Sequence, residues 1–292
     1  MTAPASDSPV ALAANDRVIV LGSSGWFGRT FRDLLPVGIP VMAVAGHPNK
    51  GETAWDWEAI RRFRPTLVAN FAFLTKSRGS VTTHDAFVAT NRLLTQRFLD
   101  CMSLSTVRTA LTISSGAAIW DASSPYGSLK RTEEERAKRA VGMGCNLVIG
   151  RAYSVSGPYV RYPREYAFSD FILQAHEGLI AVTSRQPTWR RYVSVGDFLR
   201  VLLLRALAGA NETIESGGTL VEMTDLAGRI AGLVNPHAVI SLATHDRDED
   251  SVYASDNSTW TSACSLAQVA PLDLTGQIIA TAEGLLGTRT DR

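Results

Sequence analysis

Short apolar runs alternate along the chain with longer stretches whose apolar positions recur every three or four residues, the signature of strands separated by helices. The runs Val18–Leu21, Val41–Ala45, Leu67–Phe73, Thr109–Ser114 and Asn146–Tyr153 predict strands buried between helices, and Trp57–Phe63, Ala86–Met102 and Tyr126–Val141 predict the helices. A parallel, doubly wound sheet requires this alternation. On the stretch Ala86–Met102, Phe87, Asn91, Leu94 and Phe98 share one face, so Asn91 is expected to lie among apolar neighbours. A buried amide must find partners. Asn91 therefore reads as a bracket between backbone segments under the strand Thr109–Ser114 rather than as a ligand contact. After Gly157 and Pro158 the pattern is less regular, with helices near Glu165–His176, Gly196–Ala208, Val221–Leu233 and Leu274–Leu286 separated by short strands. The expected architecture is α/β, a doubly wound parallel sheet with a smaller C-terminal α/β lobe. Residues 1–15 are expected to form a disordered tail, 16–160 the core, and 161–292 mainly the lobe, with strands returning to the core.

Two local motifs give this scaffold a chemistry. In VIVLGSSGWFGRT the run Val18–Leu21 meets Gly22, Gly25 and Gly28 and then an amphipathic stretch, which reads strand, tight turn, helix. Glycine lets the backbone approach a ligand closely, and the helix start offers unpaired N–H groups to a pyrophosphate. The turn is expected to hold a dinucleotide, although its Gly-x-x-Gly-x-x-Gly spacing differs from the Gly-x-Gly-x-x-Gly fingerprint. In SSPYGSLKRTEEE, Pro125 suits the first helical position with Ser124 or Ser123 as cap, and this puts Tyr126 in the opening turn. Lys130 follows at i+4, about 6 Å away on the same face, where its ammonium favours the ionised phenol. Moving a tyrosine from its ordinary value of about 10 to near 7 takes about 4 kcal/mol. The plainer alternative is a surface helix on which Lys130 pairs with Glu134 and Tyr126 packs at a domain edge. The glycine turn upstream favours the proton-transfer couple.

The 292 residues suffice for a sizeable core, and a net charge of +1 provides no global field for nucleic acid and no basic run for a membrane surface. Cys101, Cys145 and Cys264 stand singly without metal-ligand spacing, and the five histidines are scattered, so no metal is expected. The cysteines fit small core residues of a reduced, cytoplasmic protein. The opening MTAPASDSPVALAAND has neither the basic residues nor the apolar stretch of a signal peptide.

Taken in order, the motifs resemble the short-chain dehydrogenase/reductase superfamily, in particular its extended branch of nucleotide-sugar epimerases, dehydratases and reductases. The resemblance runs from about Arg17 to Gly287. It rests on the glycine turn, on Asp56 and Trp57 as an Asp-plus-apolar pair, on LVANFAFLT (Leu67–Thr75), and on Asn91 and Thr95. Further along it rests on TISSGAAIW (Thr112–Trp120), Tyr126 with Lys130, GRAYSVSGP (Gly150–Pro158) and RRYVSVGDF (Arg190–Phe198). It implies a Rossmann-like core with cofactor contacts from Gly22, Ser24, Gly25, Trp26, Phe27, Gly28, Asp56, Trp57, Phe71, Ala72, Phe73, Tyr126, Lys130 and Tyr153. The implied catalytic set is Ser115, Tyr126 and Lys130. Counting back from Trp120 would put Gly116 in the serine slot and Ser114 is adjacent, but aligning Ile119 with the family's aromatic selects Ser115, which supplies the hydroxyl the chemistry needs. The connection from Ser115 to Tyr126 is shorter than is usual in the family.

The substrate implied is a nucleotide sugar, held by Ser115 at the reacting oxygen and by Arg190 at the pyrophosphate, with Arg191 as the fallback. The helix start in YAFSDFI, Tyr166–Ile172, resembles the one that faces the same pyrophosphate, while Arg161 and Arg164 read more readily as solvated. Related 4,6-dehydratases carry an Asp-Glu pair after the catalytic hydroxyl, but here Gly116 and Ala117 stand there and Asp121 reads as a turn residue. Simple hydride transfer remains: reduction of an NDP-4-keto-6-deoxy sugar, with C4 epimerisation on tightly bound NAD, or a non-catalytic NAD(P)-binding role, as alternatives. VMAVAGHPNKG has no acid for ribose hydroxyls, whereas His47, Lys50 and Arg29 are near in sequence, so NADP is favoured over NAD. Relatives form homodimers through the helices expected at Ala86–Met102 and Tyr126–Val141.

Overall fold

The computed structural model describes residues 12–45, 55–75, 83–141, 144–244 and 249–287. Its first half runs β1 (Val18–Leu21), α1 (Trp26–Asp33), β2 (Val41–Val44), α2 (Trp57–Phe63), β3 (Leu67–Asn70), α3 (His84–Met102), β4 (Thr109–Ser115), α4 (Ala117–Trp120), α5 (Pro125–Ala140) and β5 (Asn146–Ala152). The second half runs β6 (Ser154–Ser156), α6 (Ala167–Glu177), β7 (Leu179–Val182), β8 (Thr188–Ser194), α7 (Val195–Leu207) and β9 (Glu212–Glu215). It continues with β10 (Thr219–Glu222), α8 (Met223–Val234), β11 (Val239–Leu242), β12 (Ser251–Tyr253), α9 (Ser258–Ala267) and α10 (Leu274–Leu286).

A six-stranded sheet in the order β2-β1-β3-β4-β5-β9, with every pairing parallel, forms the centre. Period-two alternation with both faces covered explains why β1 is apolar throughout: Val18 and Val20 point into a layer with Phe31, Phe198 and Trp260, and Ile19 and Leu21 into one with Ile60, Leu94, Phe98 and Ala137. From β1 the chain crosses outward to β2 and returns to β3 on the other side. The connections leaving the carboxyl ends of β1 and β3 therefore diverge and open a crevice, where doubly wound sheets bind ligands. The lobe is built on β8, which pairs antiparallel with β10 and parallel with β12 and β6, beside a β7-β11 pair. Its own apolar cluster joins Phe168, Ile172, Tyr192, Leu226, Ile230 and Ile278. Not only a strand but also helices return to the main sheet: β9 closes its edge, and α7 and α9 cover one face through Phe198, Leu202 and Trp260.

The expected strand Leu67–Phe73 stops at Asn70, whose side chain turns inward to donate to Thr112 and Glu133 while its carbonyl oxygen accepts from the Ala72 N–H, ending the ladder. The helix expected from Val221 begins at Met223, because Val221 and Glu222 pair with β8 and the Glu222 carboxylate caps the helix at Thr224. Asn91 is wholly buried and brackets one segment, the loop after β3, accepting from Leu74 N–H at 2.7 Å and donating to Leu74 O at 3.1 Å. Among the described residues no helix is long and apolar enough to cross a membrane, and no cluster of His, Cys, Asp and Glu suits a metal ion. Burial pushes the thiols of Cys101 and Cys264 up to about 12 and that of Cys145 to about 11, which leaves them unreactive.

Candidate active site

The three glycines of the turn do different work. Gly22 has φ +76, and a Cβ on it would lie 2.6 Å from Ala72 N, so it lets the loops after β1 and β3 touch. At Gly28 a Cβ would come within 2.3 Å of Gly22 O, so this glycine lets α1 close down on the turn. Gly25 is otherwise: its nearest neighbour would be Gly22 O at 3.4 Å, and it caps α1 with no side-chain bond. The first-turn N–H groups of α1 consequently face the crevice without a protein acceptor from a cap, beside a glycine whose Cβ direction is open. This cradle fits the diphosphate of a dinucleotide.

The surrounding predicted contacts are placed as follows. Ser24 is exposed on the turn. Trp26 lies with its ring 5.8 Å from Tyr166 of the lobe, and its indole N–H is buried without a partner. Phe27 stacks on Phe71 at 6.5 Å and Phe31 meets Phe71 at 5.1 Å, so the Phe71 ring packs on α1. Asp56 caps α2 through Ala59 N–H at 2.9 Å, and Trp57 carries the Arg97 guanidinium over its ring. Arg29 stacks on Tyr159 at 4.6 Å. His47 and Lys50 lie outside the described residues.

Ser124 caps α5 by accepting from Gly127 N–H at 3.0 Å, and with Pro125 in the first turn this fixes Tyr126 at the mouth of the crevice. The short connection expected before Tyr126 is the helical turn α4, and Asp121 is indeed a turn residue, its carbonyl accepting from Ser124 N–H and Oγ. Ser115, the last residue of β4, stands close enough to the Tyr126 phenol to act on its ionisation, while its Oγ accepts from Ala117 N–H at 3.2 Å. Lys130 is buried beneath: its Nζ donates to Ile113 O at 2.7 Å and to Glu133 Oε2 at 3.1 Å, and lies 3.6 Å from the centre of the Phe73 ring. Phe73 in turn stands edge-on to Tyr126 at 5.6 Å. Lys130 thus pairs at i+3 with Glu133, not at i+4 with Glu134, whose carboxylate takes both arms of the Arg151 guanidinium at 2.9 and 2.7 Å. Burial pushes the Tyr126 phenol up and the Glu133 charge pushes it further, while Ser115 pulls the other way. Burial also pulls the Lys130 ammonium down, against the pull of Glu133.

One neighbour of Ser115 escaped the motif reading. Tyr253 of β12 brings its phenol beside the Ser115 hydroxyl and Ala117, and its ring lies 5.1 Å from Tyr153 and 6.4 Å from Trp120. Trp120 Nε1 donates to the Tyr153 hydroxyl at 3.3 Å, which places Tyr153 in the same wall. Gly116 is required there, since a Cβ would sit 2.7 Å from the Tyr253 hydroxyl. Tyr253 pairs in register with Arg190, a residue sequence distance hides, and the Arg190 guanidinium lies 5.9 Å from the Tyr253 ring while donating to Trp189 O and Ser251 O. Arg191 points elsewhere, to Ser255 O and Gly218 O. At the start of α6, Ser169 is buried and donates to Pro163 O and Tyr166 O, and Arg164 is paired with Asp170 and Glu177.

A parallel sheet with a glycine cradle at its switch point, and a serine, tyrosine and lysine at the end of β4 and on α5, defines a nucleotide-binding protein of the extended short-chain dehydrogenase/reductase type. The chain belongs to the NAD-dependent epimerase/dehydratase family, whose model matches residues 18–217. No curated protein matches it. Among solved structures it is similar to the UDP-glucose 4-epimerase of Thermotoga maritima with UDP-glucose, at 19% identity over 92% of this chain and 98% of that one, TM-score 0.72. It is similar also to the UDP-glucose 4-epimerase of Thermus thermophilus in complex with NAD, at 18% identity over 93% and 99%, TM-score 0.70. A GDP-L-fucose synthetase from Naegleria fowleri matches at 15% identity over 98% of both chains, TM-score 0.76. At these identities the likeness is one of fold.

Proposed function

We propose that the protein is an NAD(P)-dependent oxidoreductase of nucleotide-activated sugars that reduces an NDP-4-keto-6-deoxy sugar, with Tyr126 as the acid. The observation that carries this reading is that Ser115, at the end of β4, stands beside the phenol of Tyr126, in the first turn of α5, on the same edge of the sheet as the cradle at Gly25. The nicotinamide, when bound, supplies the hydride and its two electrons to the carbonyl carbon. The carbonyl π pair moves onto oxygen as the C–H bond forms, and Tyr126 gives its hydroxyl proton to that oxygen. The resulting tyrosinate regains a proton from solvent. Ser115 orients the oxygen toward Tyr126, and Arg190 binds the nucleotide pyrophosphate from the lobe. We assign the exchangeable coenzyme as NADPH, on the absence of an acid in the sequence following β2, and the assembly as a homodimer through α3 and α5.

The assay offers the ketosugar with NADPH and follows the absorbance of the reduced nicotinamide. Stoichiometric consumption is expected. Interconversion of 4-hydroxy epimers without added coenzyme would replace the reductase with an epimerase, and neither activity across a panel of nucleotide sugars would favour a non-catalytic NAD(P)-binding role.

A further inference from the structure

The amino ends of β1, β3 and β4 lie side by side on the edge of the main sheet opposite the crevice. An open cavity of about 480 Å³ there is lined by Arg17, Arg62, Arg64 and Arg108, together with Thr66 and Ser105. That volume falls in the range of small-ligand sites, about 300–1,000 Å³, but the lining is basic and polar and includes no carboxylate. One acid, Asp16, lies against it and is already engaged. Its Oδ1 accepts from Thr66 Oγ1 at 2.8 Å and from Arg108 Nη2 at 3.0 Å, and its Oδ2 accepts from Ala13 N–H at 2.9 Å. Arg17 is held in place by Phe63: its Nε donates to Phe63 O and its guanidinium lies 4.6 Å from the centre of the Phe63 ring. Both of its Nη groups are left without a protein acceptor among the described residues. The Arg62 and Arg64 guanidinium groups likewise have no protein partner among the described residues. Arg64 ends α2 at φ 52 and ψ 60, a left-handed position where glycine is the unstrained choice.

We propose that this cavity is a second binding site, separate from the catalytic crevice, for a small anion carrying two or more phosphate groups. Four guanidinium groups against the single Asp16 carboxylate leave an excess of three positive charges at one cavity, in a chain whose net charge is +1. Like charges gathered in this way repel one another, and a multiply charged anion relieves the repulsion. The planar fork of arginine matches phosphate oxygens two at a time. A single phosphate group presents three acceptor oxygens, too few for several such forks, whereas a chain of two or three phosphates has enough for all four. The arginines line one cavity rather than a stripe along a helix, which favours a small ligand over nucleic acid or a membrane surface. Arg64 fits the same reading. Glycine would end α2 with less strain, and what arginine adds there is a guanidinium at the cavity. The Gly25 cradle stands at the carboxyl ends of the same parallel strands, so the two anion sites occupy opposite edges of the sheet and the proposal is independent of the reductase reading.

The test is calorimetric titration of the full-length protein with sodium tripolyphosphate at low ionic strength. Binding is expected in the wild type, weakening as salt rises, and is expected to persist in Gly25→Val, which alters only the cradle. Arg64→Gly suits the left-handed backbone and removes one guanidinium, so affinity should fall about tenfold while the melting temperature holds or rises. Arg62→Gln should weaken binding by a similar factor, and the double variant by about a hundredfold. ATP is offered in parallel, and the part of its binding lost in the double variant is read as the cavity's. Equal affinity for the two compounds there assigns a free polyphosphate, and a preference for ATP of about tenfold assigns a nucleotide. Absence of tripolyphosphate binding at about 1 mM, affinity unmoved in the arginine variants, or binding abolished by Gly25→Val overturns the proposal. So does tighter binding of a single-stranded RNA oligonucleotide than of tripolyphosphate at equal phosphate concentration.

Discussion

Tyr126 and Glu134 sit within three turns of each other on α5 and respond to burial in opposite ways. Tyr126 is pushed up by burial, with the Glu133 charge adding to it. Tyr126→Phe removes only the proton carrier: turnover of the ketosugar is expected to fall about a hundredfold or more with cofactor affinity unchanged, as stopped-flow kinetics and calorimetric titration would read. Glu134 is desolvated too, but the bidentate Arg151 guanidinium overrides that and holds its carboxyl below the ordinary value of 4.5. A group depressed on folding contributes stability that is fully present above its unfolded value and lost as pH falls through the folded one. Glu134→Gln is therefore expected to cost about 3 kcal/mol in urea unfolding at neutral pH, with the gap to wild type narrowing as pH falls below 4.5. Tyr126 and Lys130 were legible in the sequence because their chemistry depends on spacing within one helix. Glu133 shares that face at i+3 and carried the same signal, but its meaning depends on Asn70 and Thr112, which only the folded sheet brings to it.

At the scale of elements, the turn between β1 and α1 separates folding from binding within one motif. Gly25→Val puts a side chain into open space, so an unchanged melting temperature with lost dinucleotide binding is expected; unchanged affinity by calorimetric titration would remove this turn from the site. Gly127→Ala is predicted to behave oppositely, because its Cβ would lie 2.1 Å from Asp121 O and 2.5 Å from Ala117 O. Thermal unfolding should report a marked loss of stability there, since backbone atoms cannot swing aside, and Tyr126 would be displaced with its helix. Strand β1 was readable as an unbroken apolar run, and β4 and β5 by the apolar cores of their runs, because both faces of these strands are covered. The end of β3 was not, since Asn70 breaks the ladder through partners remote in sequence. Nor was α9, whose STWTSACSLA carries too few large apolar residues to mark a face, although Trp260 and Ala263 are buried.

Across the whole molecule, the lobe reaches Ser115 through the end of β12. Tyr253→Phe keeps the ring against Tyr153 but deletes the hydroxyl that meets Ser115 and Ala117 N–H. It is expected to lower kcat on the sugar about tenfold while leaving cofactor binding intact, and equal kcat in the two proteins would show that this phenol is only packing. No local pattern announces Tyr253, because its place follows from the β12–β8 register with Arg190. The order in which the chain visits the main sheet has a consequence during synthesis. Residues up to Ala152 supply five of its six strands, but one face is covered by Phe198, Leu202 and Trp260, and the edge is closed by β9, all of which leave the ribosome later. Until then Val18, Val20, Leu67, Leu111 and Val148 have on that side only the cover that α1 gives through Phe31. A nascent chain halted near residue 160 should remain a chaperone client, sensitive to protease, and should become resistant only when α9 has emerged; early protection in a translation-arrest series would show that the first five strands close without it.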